Sequence, residues 1–107
     1  MSDKDPQPGN PGTNLAQVFD QIAEKIIEQQ EAIIGPIAVE QAKKVPAIKL
    51  DWAQHGVDIN GDPQKAIDDL IQQFKELFGQ IAVETCREAV SKILPLLPSD
   101  KVPASLK

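Results

Sequence analysis

The chain offers few residues for chemistry, and each has a competing structural use. Cys86 and His55 are the only thiol and the only imidazole. A nucleophilic pair needs an activated thiolate and an oriented base. Cys86 instead sits in a run of small residues, where a thiol acts as a small buried hydrophobe. One Cys and one His also exclude a disulfide within the chain and a structural zinc site of the Cys/His kind. Asp58, Asn60 and Asp62 alternate like the start of a calcium loop. That loop requires Gly at its sixth position and Glu at its twelfth, where this chain has Pro63 and Asp69. A turn followed by a helix cap accounts for the same residues.

Two further sets concern binding rather than catalysis. Asp20, Glu24 and Glu28 recur every four residues with Glu31 beside them. Like charges at this spacing oppose a helix by about 0.2–0.5 kcal/mol per pair. The stripe is either a solvated face or a docking surface for a basic protein partner. Trp52 and His55 lie close together and have the side chains most suited to a ligand or partner, although Trp52 also suits the end of a core. No phosphate loop, catalytic triad, metal-ligand cluster or paired-carboxylate cleft is recognisable. The expected protein is therefore not an enzyme and carries no cofactor and no metal.

The elements that must position these residues are helical. Of 107 residues, 41% are hydrophobic and 4% aromatic, so the core is aliphatic. Residues 1–12 hold Pro6, Pro8, Gly9, Pro11 and Gly12 and read as a disordered tail without a signal peptide. Thr13 or Asn14 caps a first helix whose apolar residues run from Leu15 through Ile27 and resume at Ile33, Ile34, Ile37, Ala38, Ala42 and Val45. Because the stripe keeps phase, Gly35-Pro36 reads as a kink in one long helix. Residues 47–61 form either a short hairpin or an irregular loop. Asp62-Pro63 is a cap and first-turn proline for a second helix running unbroken to Leu94. Residues 93–98 (ILPLLP) either pack across the bundle end or form a docking peptide, with packing favoured. Residues 99–107 read as a flexible tail, leaving 13–98 as the folded domain.

Residues 33–43 (IIGPIAVEQAK) and 77–87 (LFGQIAVETCR) repeat at an offset of 44, sharing Gly, Ile, Ala, Val and Glu at five positions. Gly35, Ala38 and Ala42, and likewise Gly79, Ala82 and Cys86, line one face each, where small residues permit close helix approach. These seams, flanked by Ile33, Ile37, Phe74, Phe78 and Ile81, are the expected contacts between helices or between subunits. The run Ile34-Gly35-Pro36-Ile37-Ala38 resembles an accessory helical segment of bacterial serine/threonine kinases and related signalling proteins. The resemblance implies an accessory role in signalling or assembly.

Two long helices leave apolar flanks uncovered, so the expected fold is an all-α helical hairpin completed as a four-helix bundle by dimerisation. The net charge of −5 argues against nucleic acid. It arises in residues 1–40, which carry two Lys against seven acids. No run approaches the ~20 apolar residues of a membrane span. The expected protein is a cytoplasmic, homodimeric interaction module, adaptor or accessory subunit. The alternative is a small-ligand sensor or carrier with an interhelical pocket near Trp52.

Overall fold

The computed structural model describes residues 15–107; the tail assigned to 1–12 and the cap at Thr13 or Asn14 lie outside them. The chain is mostly helical. Helix α1 spans Leu15–Ile34 and α2 spans Ile37–Ala42. Strands β1 (Ile48–Asp51) and β2 (Gly56–Ile59) follow, then α3 (Pro63–Phe78) and α4 (Gln80–Ala89). Three single 3-10 turns, Leu94–Leu96, Ser99–Lys101 and Ala104–Leu106, complete the chain.

Both long helices expected from the sequence are broken, each at its glycine. Gly35 has φ +82° and Gly79 φ +74°, backbone conformations that L side chains rarely adopt. The two breaks share one hydrogen-bond pattern. The Gly35 N–H donates to Glu31 O and the Ala38 N–H to Gly35 O. At the offset of 44, the Gly79 N–H donates to Lys75 O and the Ala82 N–H to Gly79 O. The repeat is therefore a helix–glycine–helix unit, present twice. An unbroken helix from 63 to 94 would extend ~48 Å, longer than the molecule's 44 Å long axis.

These breaks also change how the core is completed. Helix α1 packs on α3 and α4, and α2 packs on α3. Four helices thus meet within one chain, where the sequence led us to expect a two-helix hairpin needing a second copy. Phe19, Ile22, Ile26 and Ile27 from α1 join Ile67, Leu70, Ile71 and Phe74 from α3 in the buried centre.

The interval 47–61 is a hairpin. Ile48 pairs with Ile59 and Leu50 with Val57 in antiparallel register. These apolar residues face the core, while Lys49 and Asp58 form an opposite-charge pair on the outer face. Trp52 belongs to the 3-10 turn Trp52–Gln54 that joins the strands. Asp62 caps α3 as its sequence implies, accepting from the Gln64 and Lys65 N–H groups at 3.0 and 3.3 Å.

Residues 99–107, expected as a flexible tail, are docked. Pro103 is fully buried and Leu106 is 3% exposed against α3 and α4. The Ser105 N–H donates to Asp68 Oδ1 at 3.0 Å, fastening the last turn. Leu97 is buried too, so the ILPLLP run packs on the core.

Candidate functional site

The fold gathers two surfaces from residues distant in sequence. The first lies where the hairpin turn meets α1. Trp52 Nε1 donates to Glu31 Oε1 at 3.1 Å. His55 Nδ1 lies 2.9 Å from Glu28 Oε2, and its ring stacks on Trp52 with centroids 4.3 Å apart. The acidic stripe and the Trp–His pair, two separate features in the sequence, are thus one surface. His55 takes φ +54°, in the left-handed region, at the end of the 3-10 turn just before β2.

Electrostatics on this face are uneven. Burial holds the Asp20 carboxyl above its ordinary value, and nearby Asp58 adds to the rise. Burial and then the Glu28 carboxylate beside it push Glu24 up as well. Glu28 moves the other way, lowered chiefly by its hydrogen bond with His55 and assisted by Lys25. One donor atom from each of Glu24, Glu28 and His55 can be chosen so that all lie within 4.8 Å of one another. The sequence showed no metal-ligand cluster, because these donors come from two elements. The i,i+4 carboxylates were its only legible trace.

The second surface is apolar and surrounds both glycine breaks. Ile33 and Ile37 are exposed there, with Leu77, Phe78 and Ile81, the last 68% exposed. A groove of about 180 Å³ runs between Gln30, Ile33 and Ile34 on one side and Phe78, Ile81, Ala82 and Thr85 on the other. At the offset of 44, Ile33 corresponds to Leu77, Ile34 to Phe78 and Ile37 to Ile81. Of these pairs, Ile34 and Phe78 both line the groove, so the two repeats meet there. Leu77 and Ile34 lie within the repeated segments 77–87 and 33–43, but of those first two positions only Ile33 and Phe78 were expected as contacts.

The small-residue seams divide into two groups. Ala38, Ala42, Ala82 and Cys86 are buried. Gly35 and Gly79 are not close-approach sites: a Cβ added at either would meet nothing within 4 Å. Their missing side chain serves the positive φ instead. Phe74 is fully buried inside the chain, where it serves contact between helices rather than between subunits.

Cys86 does not meet His55, which is engaged with Glu28 and Trp52. Burial pushes the Cys86 thiol up to about 11, and Gln30 Nε2 donates to its sulfur at 3.5 Å. This environment suppresses thiolate formation. Among the described residues no helix is long and apolar enough to cross a membrane. Comparison of the chain with family models, with curated proteins and with solved structures found no match.

Proposed function

We propose that this protein is a non-catalytic helical interaction module, an adaptor or accessory subunit that self-associates through the apolar patch around its two glycine breaks. The observation carrying this reading is a groove lined by Ile33, Ile34, Phe78 and Ile81, with Ile33, Phe78 and Ile81 exposed and Ile37 and Leu77 exposed near them in the chain. A soluble chain rarely leaves large apolar side chains contiguous unless something covers them. The occupant is a second copy. Residues 32–39 and 77–83 carry no charge, so the patch offers no electrostatic selection for a charged partner. The same apolar patch can meet itself across a twofold axis, as the self-complementary interface of a homodimer requires. The acidic face bearing Asp20, Glu24, Glu28 and Glu31 is separate and is offered to a basic protein partner.

Ile81→Glu tests the association. Ile81 has little internal contact to lose, so the variant should keep wild-type thermal stability yet elute as a monomer by size exclusion with light scattering. A variant that remains associated would remove the patch from the interface. The small-ligand alternative has less support, because the Trp52 indole N–H and one ring face are already engaged.

A further inference from the structure

We propose that Glu24, Glu28 and His55 form a surface binding site for a borderline divalent cation, with zinc the best match. The donor set is two carboxylates and one imidazole, brought from α1 and the hairpin turn. Zinc accepts such mixed O/N ligation, with three protein donors and water completing four-coordination. Around a tetrahedral zinc ion, donors at ~2.0–2.2 Å stand ~3.3–3.6 Å apart, so the present spread of 4.8 Å or less must draw in by about 1 Å through side-chain rotation.

Three observations point to a cation rather than to an ion pair alone. Glu24 and Glu28 stand one turn apart on one helix face, so two carboxylates converge on a single imidazole. The imidazole is held in place: His55 stacks on Trp52, and the Trp52 N–H is tied to Glu31, so the ligand ring is supported from behind. Glu31, bonded to Trp52, adds a carboxylate behind the ring pair, and Lys25 is the cation in contact with Glu28. Lys25 Nζ reaches Glu28 Oε1 at 3.4 Å but is 52% exposed, so an entering cation displaces it into water. The imidazole nitrogen selects against calcium and magnesium, which prefer all-oxygen shells.

Trp52 is the only tryptophan and reports directly on the ring it stacks against. Untagged full-length protein, stripped with chelator, is titrated with zinc chloride, following Trp52 fluorescence and heat. The expected result is saturable binding of one zinc per chain with a change in Trp52 emission. His55→Asn, chosen because Asn tolerates left-handed backbone, and Glu24→Gln should each weaken binding by more than about tenfold, since even outer-shell changes reach that scale. Calcium chloride should produce no response. Absence of saturable zinc binding would overturn the site, as would binding that both variants leave unchanged.

Discussion

Asp20 shows how a single side chain on the acidic face affects folding. Burial and Asp58 raise its pKa in the folded chain, so the ionised form is favoured more in the unfolded state. The sign follows from linkage: the folded state binds the proton more tightly, and stability falls as pH rises through the raised value. Asp20→Asn should therefore melt higher than wild type at pH 7. The gain should vanish below the ordinary carboxylate range, about pH 4. Thermal melts across this range check it; a difference that persists in acid would contradict the burial account. The stripe itself was legible, because i,i+4 spacing is local. Its junction with Trp52 and His55 was not, because that depends on a hairpin folding back onto a helix 27 positions earlier in the chain.

At the scale of elements, the glycine breaks decide the architecture. Gly79 combines φ +74° with ψ −158°, a region essentially restricted to glycine. Gly79→Ala should cost of order 1–3 kcal/mol in urea unfolding. Gly56→Ala is the control, since Gly56 lacks positive φ and an added Cβ would make only ordinary 3.6 Å contacts. Equal costs for the two would contradict the break. The sequence placed Gly35 and Gly79 as a matched pair but could not say why. A missing Cβ serves close packing and left-handed backbone alike, and an apolar stripe that keeps phase looks the same whether or not the helix stops. The cap at Asp62-Pro63 was readable because capping is settled within four residues. The last nine residues were misread because composition hides a small number of well-placed apolar groups. Leu106→Ala should cost at least about 2 kcal/mol, as for a buried core leucine; a loss below 0.5 kcal/mol, roughly that of a surface change, would place the segment in solvent.

Considered as a whole, the molecule completes its four-helix core within one chain, so it does not need a partner to bury its central side chains. What it leaves uncovered is narrower: an uncharged apolar patch where the two repeats meet. The net charge of −5 arises within the first 40 residues, and part of it forms the acidic face where we place the zinc site. We thus propose one face that pairs with its own copy and one that takes positive charge. Sedimentation equilibrium of the wild-type chain across a broad concentration range tests the central claim most directly. The account predicts a reversible monomer–dimer equilibrium that Ile81→Glu abolishes. A wild-type chain that stays monomeric at every concentration would contradict it.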